Sequence, residues 1–374
     1  MKTLLKTIRR IIVLLLIMSI AWLGLTWKNY HDLQPIISRA QASMTADSDV
    51  VDKAEATVKM AETDGMTGDD VKALSTVLSG HADAKPSVPS LDWRDWKETL
   101  KLPFTAKKTR TIAEQAMSTG DDRLDELKTA LDTAMQSYFE AMRTTASSSE
   151  YAWRDRLGGK YDGAPSQAVA MARSAQSWSS IDGLYKLVVD MHGKYSETQS
   201  LLKQTVDGLH AAEAEAAKIQ STDGAETTGS IKAKIDEAAG KMGAQVVYTP
   251  SAGCQGEPGD GAPAIGYYCQ GYRDSRNKVF VNTANSGYPR LQSDAWLLDA
   301  VKHELSHRSI MITCGTVNPK IAGSRIEAVT NSYAYAYYGA NRERTVKHQE
   351  GITEYAADAE TDAIAAKIHN GQCS

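Results

Sequence analysis

The sequence predicts an α+β protein in three parts: an N-terminal membrane anchor, a mostly α-helical middle region, and a C-terminal domain in which strands precede helices. Three observations carry this. A basic cluster precedes a long apolar run near the N-terminus. The following stretch is rich in Ala, Lys, Glu, Gln and Leu at helical spacing. After a small polar segment, β-branched and aromatic runs give way to amphipathic helical patterns. The expected boundaries are 1–10 for a cytoplasmic tail, 11–27 for the transmembrane segment, 28–220 for a helical stalk or bundle, 221–230 for a linker, and 231–374 for the C-terminal domain.

The 374 residues are 42% hydrophobic and 24% charged, with 27 Gly and 10 Pro, which excludes collagen, wholesale disorder and a multispanning membrane protein. A net charge of -4 provides no broad basic field to collect phosphates, so no nucleic-acid partner is expected.

Lys2, Lys6, Arg9 and Arg10 precede the apolar run Ile11 to Trp27, broken only by Ser19, Gly24 and Thr26. At about 1.5 Å per residue the run covers roughly 25 Å, enough to span a bilayer. The alternative is a cleaved signal peptide, but the small-x-small site Ala40-Gln41-Ala42 lies far beyond the apolar core. The expectation is a single-pass protein of the cell membrane. Its basic end is cytoplasmic by the positive-inside rule, and everything after Trp27 is extracytoplasmic. Cys254, Cys269, Cys314 and Cys373 all fall on the exported side. An even number in an oxidising compartment suggests two disulfides, and four cysteines allow three pairings. The favoured one is Cys254–Cys269 with Cys314–Cys373. No C-x-x-C occurs, so a zinc ribbon is not supported.

In the middle region, helices are expected near 48–80, 108–143 and 166–219, with breaks at Ala84–Ser90 and Thr144–Pro165. No strict heptad is sustained, so a continuous coiled coil does not follow. Trp93 and Trp96 are spaced for buried packing on one helical face. This region carries no chemistry of its own; it is a stalk, a substrate-presenting arm or a unit that binds a protein partner. Beyond the linker, a helix at 231–242 and strands at 245–249, 265–272 and 278–283 are expected. The last two form a hairpin, and helices at 293–312, 324–339 and 352–369 follow.

The chemistry lies in the first of those three helices. His303-Glu304-Leu305-Ser306-His307 is an H-E-x-x-H sequence. Residues four apart on a helix share a face, so both imidazoles reach one ion, while Glu304 is free to act as a general base on water. The alternative is two surface histidines on an ordinary amphipathic helix. A catalytic Zn2+ needs a third protein ligand. Ile310 and Thr313 occupy the positions where the elongated metzincin motif has Gly and His. Glu327, twenty positions after His307, suits a return helix. Its competing role is a capping box, Ser324-x-x-Glu327. His348, Glu350, Glu354 and Asp358 are the fallback donors. Tyr333, Tyr335, Tyr337, Tyr338, His348 and Tyr355 are available to stabilise an oxyanion, with none singled out except weakly His348.

With these residues in view, segment 231–374 resembles a gluzincin-type (HExxH…E) zinc metallopeptidase. The resemblance implies His303, His307 and Glu327 as metal ligands, Glu304 as catalytic base, a zincin-like α+β domain, and an upstream edge strand at Lys278–Thr283 that holds substrate by strand addition. Asn331 stands where that family often has an Asp, and Arg308 follows the second histidine, where an uncharged residue is commoner. The expected function is a membrane-anchored zinc metallopeptidase, a hydrolase acting on peptide or protein substrates. The alternative is a non-enzymatic helical envelope scaffold with a structural or vestigial zinc site.

Overall fold

The structure is a computed structural model and describes residues 2–82, 88, 90–92, 94–174, 180–250, 264–270 and 275–374. The chain is mostly helical with one small sheet, and it forms two compact units. The first comprises Met1–Thr144 with Ala168–Gly193, the second Thr145–Gln167 with Lys194–Ser374.

In the first unit, α1 (Lys2–Thr63) opens the chain, and its Lys6–Ala42 stretch is long and apolar enough to cross a membrane. From Trp22 onward one stripe is covered: Thr26, Leu33, Ile37 and Ala40 are buried, with Leu102 and Ala113 in the same cluster as Leu33 and Ile37. The helix expected over 48–80 is broken. Gly65 adopts φ +68, and Met66 N–H donates to Ala61 O at 2.8 Å, a left-handed glycine cap that the Asp64-Gly65 pair favours. Helix α2 (Asp69–Ala82) then packs on α1. Trp96 begins the single-turn α3 (Trp96–Thr99) and is 63% exposed, contrary to the expected burial. One turn has no long face to bury, and Trp93 lies outside the described residues.

Helix α4 (Leu102–Leu157) runs through most of the break expected at Thr144–Pro165. Met142, Ala146, Trp153 and Leu157 are buried along one stripe while Ser147 and Ser148 stay exposed, so burial outweighs the low helix propensity of the serines. The actual break is short, between Gly158 at φ +58 and Gly163 at φ +74. Helices α5 (Ala164–Ser174) and α6 (Ile181–Ala217) follow. The division into units falls inside α4, α5 and α6, and the segment 221–230 lies wholly in the second unit. That segment is pinned within the second unit: Ser221 Oγ donates to Ala295 O at 3.1 Å, and Arg344 Nη1 to Asp223 Oδ1 at 2.8 Å.

The second unit is α+β. Helix α7 (Thr228–Lys241) starts with a Thr227/Ser230 capping box and leads into β1 (Gln245–Thr249). β2 (Gly266–Tyr268) and β3 (Lys278–Asn282) are antiparallel, as expected, but the strand order is β1-β3-β2. β3, expected at the edge, is therefore central, because β1 pairs parallel to it from Gln245↔Lys278 to Thr249↔Asn282. β2 is left as an edge. Next come α8 (Tyr288–Leu291), α9 (Trp296–Cys314), α10 (Ile326–Tyr337), α11 (Arg342–His348) and α12 (Ala359–His369). α11 was not anticipated. The helix expected from 352 begins later, where Asp358 and Thr361 form a capping box.

Helix α9 lies at the centre and is buried almost all round, not amphipathic. Val301 and Leu305 join Ile231, Val279, Val329 and Tyr333 in one core. Two of its buried charged groups have close partners: Asp299 accepts from Arg344 Nε at 2.6 Å, and Lys302 Nζ donates to Ile219 O at 2.7 Å. Burial lowers the Lys302 ammonium to about 8. Arg308 turns to Arg276 O at 3.0 Å and Asn277 Oδ1 at 2.9 Å, so its place in the motif reflects tethering of α9 to the sheet. Arg156 caps the far end, donating to Ile312 O at 2.7 Å and Thr313 O at 2.8 Å. A disulfide joins Cys314 to Cys373. Cys269 is also disulfide-bonded, and its expected partner Cys254 lies outside the described residues.

Candidate metal centre

Two helices build the site. α9 presents His303, Glu304 and His307; α10 presents Glu327, Thr330 and Asn331, spaced i, i+3, i+4 on one face. His303 Nε2 and His307 Nε2 are 3.1 Å apart, and Glu327 Oε2 lies 3.0 Å from the first and 3.3 Å from the second. The capping-box alternative for Glu327 is absent: α10 starts at Ile326 without a side-chain cap, and the carboxylate points at the histidines.

The surrounding network assigns the tautomers. Asn331 Nδ2 donates to Gln349 Oε1 and to Tyr355 O, both at 2.8 Å, so its Oδ1 accepts from His303 Nδ1–H at 2.8 Å. Thr330 Oγ1 donates to Ile326 O at 2.8 Å and therefore accepts from His307 Nδ1–H at 3.3 Å. Both Nε2 lone pairs then face each other and a carboxylate oxygen. Such an arrangement repels itself unless a cation occupies its centre. The side chains register this. Burial disfavours charge on His303, but the Glu327 hydrogen bond and the nearby carboxylates raise its pKa. Burial likewise acts against charge on Glu327, yet the two histidines hold it well below the usual carboxylate range.

The donor set fits zinc. An ion bound tetrahedrally at ~2.0–2.1 Å from three ligands sets those atoms about 3.3 Å apart, close to the 3.0–3.3 Å observed. Asn331 and Thr330 hold the outer nitrogens as the partners of metal-bound histidines do.

Glu304 is not one of the three converging groups. It lies under β2, where Tyr268 N–H donates to it, and burial raises its pKa. A Cβ at Gly266 would sit 3.1 Å from Glu304 Cγ, a tight contact that the carboxylate side chain would have to yield to. Above it opens a cleft of about 260 Å³ lined by Ile265, Gly266, Trp296, His303, Ile352 and Tyr355, among others. A more polar cavity of about 470 Å³ shares His348 with it, but contains none of the converging donors.

Four of the tyrosines considered for the oxyanion face elsewhere. Tyr333 OH donates to Glu213 Oε1 at 2.9 Å, Tyr338 OH meets Ser309 Oγ at 2.7 Å, Tyr337 stacks on His369, and Tyr335 lies under Arg342. Tyr355 alone of the tyrosines borders the cleft, its ring 5.6 Å from His303. Burial, with Glu327 and Glu304 nearby, keeps its hydroxyl protonated. His348 also borders the cleft, stacked on Trp296 at 4.7 Å. Of the fallback donors, Asp358 caps α12 and accepts from Arg325 at 2.7 Å, and neither His348, Glu350 nor Glu354 joins the converging atoms.

Thr330 and Gly266 escaped the sequence reading. Thr330 was accessible in principle from its i+3 spacing to Glu327. Gly266 was not, because its importance depends on where β2 crosses α9.

A second His/Glu group among the described residues, His210, Glu213 and His369, differs in kind. Its imidazoles stack with centroids 3.7 Å apart and planes tilted 23°. Nearly parallel rings do not direct their in-plane lone pairs at a common ion, and Tyr333 supplies a proton to Glu213.

Comparison of the chain with protein-family models, curated proteins and solved structures found no match.

Proposed function

We propose that this chain is a membrane-anchored zinc-dependent peptide hydrolase whose second unit works outside the cytoplasm. The observation that carries the proposal is the convergence of two imidazole nitrogens and a carboxylate oxygen within 3.3 Å of one another, beside a buried carboxylate that takes no part in that convergence. His303, His307 and Glu327 hold the ion. Bound there, Zn2+ would supply Lewis acidity and bring a water's pKa toward ~7. Glu304, raised by burial, is poised to accept a proton from the attacking water and return it to the leaving amine. The Tyr355 hydroxyl donates to the carbonyl oxygen as charge develops on it. The edge of β2, immediately above Glu304, aligns an extended peptide by strand addition.

The Lys6–Ala42 stretch anchors the chain, with the basic N-terminus on the cytoplasmic side. The Cys314–Cys373 disulfide accords with an oxidising compartment for the second unit.

The test uses purified full-length protein: zinc per chain by mass spectrometry, and cleavage of a peptide library with and without a chelator. One zinc per chain with chelator-sensitive cleavage restored by zinc supports the hydrolase. Full zinc without turnover on any library points to the scaffold reading with a vestigial site.

A further inference from the structure

The covered stripe of α1 begins inside its apolar run. Residues 6–21 of this helix are exposed all round, whereas Trp22 and Thr26 are already packed. What meets Trp22 is Phe104, on the first turn of α4, with ring centroids 4.7 Å apart. From there α4 follows α1: Arg110 feels the charge of Asp32, and Ala113 packs in the cluster of Leu33 and Ile37.

Phe104 is nevertheless 77% exposed, while its neighbour Leu102 is 2% exposed and turned inward. Trp22 lies five residues before Trp27, about 7.5 Å back from the end of the apolar run. At that height the rest of α1 is also outward and apolar: Leu23 is 57% exposed and Leu25 47%. A solvent that covers Leu23 and Leu25 with hydrocarbon covers Phe104 with the same hydrocarbon.

We propose that α3 and the first turn of α4, residues 96–104, form a second membrane contact, a foot immersed at the boundary between lipid headgroups and acyl chains. It rests on the reading of α1 as a bilayer span. Three further features fit. Backbone polar groups are satisfied locally, as an apolar surrounding demands: Leu100 N–H donates to Trp96 O at 3.0 Å, Lys101 N–H to Glu98 O at 3.1 Å, and Phe104 N–H to Lys101 O at 2.9 Å. Trp96, 63% exposed, is the side chain that prefers such a boundary. Residues 92–110 carry six basic side chains against three acidic ones, and their long stems let the cations reach anionic headgroups. The occupant is therefore a lipid surface containing anionic lipid.

The experiment uses the full chain in vesicles of phosphatidylcholine and phosphatidylglycerol. Leu16→Cys, Trp96→Cys, Phe104→Cys and Ser118→Cys are each labelled with a thiol-reactive fluorophore, with the unsubstituted chain as blank. Ser118 is exposed and about 21 Å further along α4. Doxyl-labelled lipid should quench the labels at 16, 96 and 104 at least ~2-fold more than the label at 118, and aqueous iodide should show the reverse order. Quenching at 16 but not at 96 or 104 overturns the foot and leaves the span standing. A label at 16 that iodide quenches overturns the span, and the foot with it.

Discussion

Each unit buries a histidine against a carboxylate, and the two arrangements are not equivalent. In the first unit, Tyr138 OH donates to Asp64 Oδ2 at 2.5 Å, and His192 Nδ1 lies 2.9 Å from the same oxygen. Both contacts bring a proton to the carboxylate, and the group pins the end of α1 to α4 and α6 with no ion required. In the second unit, His303, His307 and Glu327 are as close, but the two Nδ1 atoms are engaged by Asn331 and Thr330, and both Nε2 atoms turn to one carboxylate oxygen. Residue type and close approach are shared. Where the ring nitrogens point is not, and on the proposed reading that separates a structural cluster from a cation site.

The largest effect that sharpens this contrast comes from a residue beside the cation site but outside it. Glu304→Gln retains shape and zinc but cannot accept a proton, so kcat should fall by ~10²–10⁴ at unchanged zinc per chain. Steady-state hydrolysis alongside metal analysis checks this, and zinc loss in the variant would make Glu304 a ligand. Next, Glu327→Ala and Asp64→Ala should diverge. The first lowers zinc occupancy together with activity, partly rescued by added zinc. The second leaves zinc unchanged and costs about 1–3 kcal/mol of stability, read from denaturant unfolding, because Tyr138 and His192 lose their buried acceptor. Zinc loss in Asp64→Ala would dissolve the contrast.

A smaller effect is expected from Gly266→Ala, whose methyl meets Glu304 Cγ at 3.1 Å. Displacing the base without touching a ligand should lower kcat about 10-fold with full zinc retained. The smallest effect concerns a carboxylate surrounded only by donors. Glu226 accepts from Lys234, Ser230 and Thr222 N–H, which bring it down to about 2. Its folded value lies below its unfolded one, so the stabilisation is fully present above about pH 4.5. It is lost as pH falls toward about 2. Glu226→Gln should flatten the unfolding midpoint across that window, and an unaltered profile would show that these donors do not hold it.

The site was legible where its parts are local. H-E-x-x-H declares itself on one helix, and a carboxylate twenty positions on is the natural return. The β2–β3 hairpin and the Cys314–Cys373 pairing were likewise readable. Long-range pairing was not: β3 became central only because β1 lies parallel beside it, and that partnership leaves no mark on either strand alone. The run of α4 through Ser147 and Ser148 depends on what covers Ala146 and Trp153, which propensity does not reveal. That Tyr355 borders the cleft could not be read from the sequence, because its place is set by Asn331 binding its carbonyl.

The bond between Cys314 and Cys373, 59 positions apart, closes a covalent ring containing Glu327, Thr330, Asn331 and Tyr355. His303, Glu304 and His307 stand just outside, on the helix that ends at the ring's junction. A single peptide cut within the ring, for instance at the exposed Gly351 turn, opens the loop without separating the pieces. A nicked molecule should therefore migrate as one species until thiols are added and as two thereafter. Before reduction it should still carry its zinc, because the packing of α10 on α9 does not depend on the continuity of the backbone between them.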